Sequence, residues 1–238
     1  MASTAKDFFE ENGYYVARGV FSADEVAHMR DHFMELRKQG PKPGDMGGDP
    51  AKDKADPLNQ FPRFINMHDW DEQSAAWQQD PRFTQLAAEL IGDEVALCQT
   101  MLYFKPPGAR GQGRHQDNQY IRKYPIIAAW LALDRCDESN GYMVLVPGSH
   151  KEGVLPVKPA DMSRSFTNGE TVIPEGTQEI GIDMEAGDVL FFGGFTIHGS
   201  YPNETPDRFR RTFIVHYFAA HTEELPADPA TSMSGLAA

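Results

Sequence analysis

Apolar residues recur along this 238-residue chain with two different periods, and the change falls near residue 93. Before it the spacing is helical. Val26, Met29, Phe33 and Leu36 follow the three-and-four rhythm of an amphipathic helix, opened by a capping box at Ser22-Ala-Asp-Glu25 and closed at Gly40-Pro41. Phe83, Leu86, Leu90 and Ile91 repeat in the same way between an Asp80-Pro81 start and a Gly92 stop. A shorter helix is expected over Thr4 to Asn12, closed by Gly13 and followed by a short strand from Tyr14 to Arg18. After residue 93 the grammar is that of strands. Segments 94–104, 125–133, 142–146, 178–184, 188–192, 196–200 and 209–219 are apolar, β-branched or aromatic, with Gly, Pro and Asn/Asp turns between them. Helices first and many strands after predict an α+β protein, its helices packed on an all-β core.

Two stretches fall outside this pattern. Residues 41–59 are rich in Pro, Gly, Asp and Lys and are expected to form a long mobile loop, either a lid or a surface insertion. Residues 222–238 are small, Pro-rich and weakly apolar, and are expected to form a flexible tail behind a single domain over 1–221. The apolar fraction of 40% and charged fraction of 24% are those of an ordinary globular chain. A net charge of −13 argues against nucleic acid or an anionic membrane as the main partner and leaves a small molecule. The two cysteines, Cys98 and Cys136, lie in strand-like apolar runs and read as buried thiols of a reducing cytoplasm. The N-terminus has no apolar core of a signal peptide, and no run reaches transmembrane length, so a cytoplasmic location is expected.

The chemistry concentrates in Arg114-His-Gln-Asp-Asn-Gln-Tyr120. On extended backbone, residues two apart point the same way, so His115 and Asp117 project together. His198, in Phe195-Thr-Ile-His-Gly-Ser200, is the best third ligand. Two histidines and one carboxylate on one face are the ligand set of non-haem Fe(II) oxygenases, because three positions stay open for cosubstrate and O₂. His150 in Pro-Gly-Ser-His reads as a structural turn residue, and His216 as a buried hydrogen-bonding residue rather than a ligand. His28, His32, His68 and His221 lack metal-ligand spacing. Gly193-Gly194 reads as a turn or bulge, and neither a Gly-x-Ser-x-Gly elbow nor a Cys-His nucleophile is present.

Taken in order, Thr100-Met-Leu-Tyr-Phe-Lys-Pro-Pro-Gly108, Arg114-His-Gln-Asp117, Ala129-Trp-Leu-Ala-Leu133, Asn140-Gly-Tyr-Met-Val-Leu-Val-Pro-Gly-Ser-His150, His198-Gly-Ser-Tyr-Pro-Asn203 and Arg210 resemble the phytanoyl-CoA dioxygenase family. The resemblance implies a double-stranded β-helix, the jelly roll also found in cupins, with the N-terminal helices packed on one sheet. It implies Fe(II) held by His115, Asp117 and His198, with 2-oxoglutarate as cosubstrate and O₂ as oxidant. An arginine fork for the far carboxylate belongs on the strand after His198. Arg208, Arg210 and Arg211 all qualify, and Arg210 is preferred because Arg210-Arg-Thr-Phe-Ile-Val-His-Tyr217 resembles the family's Arg-led final strand best, which places Arg210 on one face with Thr212, Ile214 and His216. By the same resemblance Ser200 joins the arginine, Met101 lines the cosubstrate pocket, Trp130 forms an aromatic wall, and Arg63 reaches the cosubstrate. Halogenating relatives replace the metal-binding carboxylate with a small residue, so Asp117 implies a hydroxylase or related oxidase.

The expected function is oxidation of an unactivated C–H bond, by hydroxylation or oxidative cyclisation. The expected substrate is a small secondary metabolite such as a sugar-containing antibiotic intermediate. Fatty acyl-CoA and amino-acid-like substrates stay open. From other classes, so do a zinc or manganese cupin-type hydrolase or isomerase and a non-catalytic binding protein.

Overall fold

A computed structural model of the protein describes residues 4–47, 55–231 and 233. In chain order the elements begin with α1 (Ala5–Asn12), β1 (Tyr14–Ala17), α2 (Ala23–Lys38), β2 (Asp45–Met46), α3 (Pro57–Gln60), β3 (Arg63–Ile65), α4 (Glu72–Trp77) and α5 (Pro81–Ile91). They continue with β4 (Val95–Tyr103), β5 (Gln112–His115), β6 (Lys123–Ala132), β7 (Met143–Leu145), β8 (Val157–Pro159) and β9 (Gly169–Thr171). The last are β10 (Ile180–Ile182), β11 (Val189–Gly193), β12 (His198–Ser200) and β13 (Thr212–Glu224).

Helix ends follow the local chemistry. Thr4 and Ser22 each form a reciprocal capping box, with Asp7 and Glu25 respectively. Asp80 caps α5 with Pro81 in its first turn, and Gly92 ends it in the left-handed region at φ +75°. No described helix is long and apolar enough to cross a membrane.

The strands form a seven-stranded sheet in the order β1-β11-β6-β13-β4-β3-β2 and a four-stranded sheet in the order β10-β7-β12-β5. All pairings in both are antiparallel. This is the double-stranded β-helix. Two apolar layers meet on the large sheet. Ile127, Ala129 and Leu131 of β6 and Phe213, Val215 and Tyr217 of β13 face α2 and α5, where Val26, Met29, Phe33, Phe83, Ala87 and Leu90 cover them. Phe33 stacks on Phe213 at 5.6 Å, and both are fully buried. Each such side chain contributes roughly 1.5–3 kcal/mol by leaving water. The alternate residues Ala128, Trp130, Ala132 and Ile214 point into the space between the sheets, with Met101, Met143, Leu145 and Phe192. Both faces are covered, so these strands read as continuous apolar runs.

Several elements were not expected from the pattern. α4 is a short helix capped by Asp71. β5 and the β8–β9 ribbon carry few apolar residues. Part of the expected loop over 41–59 is regular: β2 pairs with β3 and α3 is a helical turn. Residues 48–54 lie outside the described residues. At the other end β13 continues through 222–224, pairing Glu223 with Tyr124 and Glu224 with Lys123, and Thr231 and Met233 are buried. The ordered chain therefore runs past the expected boundary at 221, because the ladder with β6 offers partners for its backbone.

Candidate active site

His115 ends β5 and His198 begins β12, and the two are direct partners across that ladder. Gln116 is extended (φ −116°, ψ 134°), which carries Asp117 back to the same side before the chain turns through 117–119. The donor atoms of His115, Asp117 and His198 lie within 4.8 Å of one another. His115 Nε2 is 3.8 Å and His198 Nε2 3.6 Å from Asp117 Oδ1.

The protonation pattern follows from the neighbours. His115 Nδ1–H donates to the Gly113 carbonyl at 2.9 Å, and His198 Nδ1–H to the Thr196 carbonyl at 2.9 Å. Both Nε2 lone pairs are thereby turned toward the carboxylate. Burial, with His198 beside it, pushes the His115 imidazole down to about 3, and burial lowers His198 as well. Burial works against ionising Asp117. The rings of His198 and His216 and the His216 Nε2–H donated to Oδ2 at 3.1 Å outweigh it and hold the carboxyl well below its usual range. Two neutral imidazole lone pairs and a carboxylate converging without a proton between them suit one divalent cation. The Gln112 side-chain amide approaches His115 Nε2 at 3.1 Å and has to turn aside for that nitrogen to ligate.

The three arginines have different fates. Arg208 is half exposed and forks onto Asp137 at 2.8 and 2.9 Å. Arg211 forks onto Asp134 at 2.8 Å through both Nε and Nη2. Arg210 is 2% exposed, lies over the Trp130 ring at 5.1 Å, and leaves Nε and Nη1 without a partner among the described residues. A buried guanidinium with open donors costs several kcal/mol unless an anion comes to it. That orphaned pair, in the same cavity as the histidine–aspartate cluster, fits the free carboxylate of a keto acid chelated at the metal.

The cavity has a volume of about 520 Å³ and lies between the two sheets. All eight residues singled out from the sequence line it: Arg63, Met101, His115, Asp117, Trp130, His198, Ser200 and Arg210. Met101 and Trp130 flank Ile214 on the large sheet, one on each neighbouring strand. Ser200 ends β12, and its Oγ accepts hydrogen bonds from Lys105 Nζ at 2.9 Å and from the Gln112 backbone N–H at 3.2 Å. Arg63 sits toward β2 with its guanidinium over the Tyr103 ring at 5.3 Å and the Phe166 ring at 4.8 Å.

Sequence reasoning missed several lining or supporting residues. Gln112 and Tyr103 line the cavity. So do Met162, Phe166 and Thr167, which come from the segment between β8 and β9. Lys105, directly behind Ser200, was also missed. Lys105 stood within the Thr100–Gly108 stretch that carries the resemblance, with no role of its own, and β5 had no apolar residue to announce it.

A double-stranded β-helix that gathers two imidazoles, a carboxylate and an unpaired arginine around one cavity defines the class of non-haem iron, 2-oxoglutarate-dependent oxygenases. The chain belongs to the phytanoyl-CoA dioxygenase (PhyH) family, whose model matches residues 9–212, and is an Fe(II)- and 2-oxoglutarate-dependent dioxygenase. Among its relatives is the peroxisomal phytanoyl-CoA dioxygenase of Rattus norvegicus, 29% identical over 230 residues, covering 89% of this chain and 67% of the relative. Among solved structures, the epimerase SnoN in complex with Fe3+, alpha ketoglutarate and nogalamycin RO superimposes with a TM-score of 0.73 at 20% identity, over 93% of this chain and 85% of that one. EvdO2 from Micromonospora carbonacea var. aurantiaca, complexed with 2-oxoglutarate, gives 0.72 at 21% identity, over 94% and 92%. These two likenesses establish the shared fold.

Proposed function

We propose that His115, Asp117 and His198 hold Fe(II), and that Arg210 and Ser200 bind the distal carboxylate of 2-oxoglutarate. We further propose that the enzyme oxidises an unactivated C–H bond of a compact, polar small molecule. The observation that carries the cosubstrate assignment is the Arg210 guanidinium, buried with two nitrogens unpartnered in the cavity that holds the metal-ligand cluster.

When bound, iron and 2-oxoglutarate supply the oxidising power from O₂, with succinate and CO₂ as coproducts. The chain's own residues do the positioning. His216 holds Asp117 through Oδ2 and leaves Oδ1 toward the histidines. Gly113 and Thr196 carbonyls fix the tautomers of His115 and His198. Met101, Trp130 and Ile214 form an apolar wall that keeps water from the reacting carbon.

The substrate assignment rests on the remainder of the lining. Arg63, Gln99, Tyr103, Tyr120, Thr167 and Asn168 offer polar and aromatic surface, interrupted by Met46, Met162 and Phe166. Such a wall suits a hydroxylated ring system, including a sugar-bearing secondary metabolite, better than an acyl tunnel. The fold shared with SnoN, an enzyme from nogalamycin biosynthesis, is consistent with a tailoring role. The relatives named phytanoyl-CoA dioxygenase favour an acyl-CoA as the second candidate.

Anaerobic addition of Fe(II) and 2-oxoglutarate to apo-protein, followed by visible absorption, tests the site. A weak charge-transfer band is expected in the wild type, lost in His198→Ala and weakened in Arg210→Ala. Absence of the band in the folded wild type removes the site assignment. Succinate release stimulated by polar glycosides and not by acyl-CoAs supports the substrate class, and the reverse replaces it.

A further inference from the structure

Lys105 is 4% exposed and has no carboxylate partner among the described residues; its Nζ contacts Gly141 O at 3.0 Å, Ser200 Oγ at 2.9 Å and Tyr201 O. The seat for this side chain is built. Lys105 holds a left-handed backbone at φ +36°, rare for a residue with a Cβ. Its carbonyl is fixed by the Arg210 backbone N–H at 3.0 Å and by Asn203 Nδ2 at 3.1 Å. A Cβ on Gly141 would stand 2.7 Å from Lys105 Nζ, so that glycine keeps the space open.

A count of protons gives the seat a function. Gly141 O and Tyr201 O can only accept. An ammonium has three N–H groups for three oxygens, and the Ser200 Oγ then accepts from Lys105 and from the Gln112 backbone N–H. With both its lone pairs taken, the Ser200 hydroxyl proton is left for the cavity. A neutral amine has two N–H groups, both claimed by the carbonyls, and a lone pair facing Ser200. The hydroxyl then turns its proton onto Nζ, and Ser200 has none to offer a ligand.

We propose that Lys105 is a positioning residue for 2-oxoglutarate: as an ammonium it commits the Ser200 hydroxyl to donate to the distal carboxylate, so that cosubstrate binding takes up a proton at Lys105. This rests on the reading that places that carboxylate at Arg210 and Ser200. The electrostatic surroundings agree. Burial and the neighbouring Arg210 guanidinium disfavour charge on Lys105 and hold it well below the ordinary lysine range. Arg210 and Cys136 are the titratable groups that act on it, and the buried Cys136 thiol, pushed up to about 12, supplies no anion. An arriving carboxylate provides the missing counter-charge for two adjacent cations. The proton comes from solvent, and no covalent step is involved.

Calorimetry tests this. 2-Oxoglutarate is titrated into Mn(II)-loaded, full-length protein between pH 6 and 9, in buffers of different ionisation enthalpy. The wild type is expected to take up a fraction of a proton that grows with pH toward one, and its affinity to weaken as pH rises. Lys105→Met is expected to lose that uptake and its pH dependence, and to bind on the order of ten-fold more weakly. Binding by the wild type with no proton uptake at any pH overturns the proposal while leaving the carboxylate assignment in place, and this arm stands even if Lys105→Met does not fold. A Lys105→Met protein that is less heat-stable but keeps wild-type affinity and uptake also overturns it, because Lys105 is then only structural. Failure of the wild type to bind 2-oxoglutarate at all overturns the cosubstrate reading on which the proposal stands.

Discussion

The two faces of the large sheet are made from alternate residues of the same strands, and they treat polar groups in opposite ways. On the face under the helices most of the few polar groups find partners within the chain, the indole Nε1 of Trp70 being an exception. Tyr217 Oη donates to the Gln78 carbonyl, and Thr100 Oγ1 meets His68. On the cavity face Arg210 keeps two unpartnered nitrogens, and the histidine lone pairs converge on a carboxylate. The first face is finished by folding. The second is finished by ligands, and its cost in desolvation is carried by the first.

Four substitutions break or sharpen this contrast, from the largest effect down. His198→Ala is expected to lower turnover on the order of a thousand-fold or more while hardly moving the melting temperature of the apo-protein. A comparable fall in stability would mean that the cavity face also holds the fold together. Phe213→Ala, on the other face, is expected to cost about 3–5 kcal/mol by leaving a cavity beside Phe33. That lowers the melting temperature by about 10 °C, with turnover per folded molecule retained below the transition. Loss of turnover at full folding would show that the two faces are not independent.

Arg210→Met should separate the faces by sign. It removes a buried, unpaired charge, so the apo-protein is expected to melt higher, while 2-oxoglutarate binds about a hundred-fold more weakly. A variant that melts lower and binds normally would count against both the orphaned charge and its assignment. The smallest effect is expected far from the cavity, at Glu25. Arg82, with the Ser22 cap, holds its carboxyl down to about 2. A depressed carboxyl adds stability that is present above its unfolded value and lost as pH falls through the folded one. Glu25→Gln should therefore flatten the melting profile between about pH 4.5 and 2, by less than about 1 kcal/mol because the pair is exposed. Superimposable profiles would show that the cap does not need the charge.

Much of the fold was legible because it follows local rules. The Gly13 stop of the first helix, the capping box at Ser22, the Asp80-Pro81 start and the Gly92 stop all lie where spacing put them. The central strands were visible as apolar runs because both of their faces are covered. β5 was not visible, since Gln112-Gly-Arg-His115 gains its strand character from pairing with β12 and not from burying apolar surface. The β8–β9 ribbon was missed for the same reason. At the site, the residue types were readable but not their company. Arg208, Arg210 and Arg211 differ little in sequence, and Asp137 and Asp134, far back along the chain, take the outer two.

The sequence by itself determined the helical and strand segments and their order, the kinship, and the types of ligand offered, because these depend on neighbours within a few residues or on side-chain chemistry alone. Only the tertiary structure decided which arginine is left unpaired, which nitrogen of each histidine faces inward, and that a lysine from a turn stands behind Ser200. Each of these depends on whether a buried polar group finds a partner. For Lys105 and Asp117 that partner lies 95 to 99 residues away in the chain, brought within hydrogen-bonding distance only when the two sheets close, whereas each histidine is turned by a carbonyl two residues back.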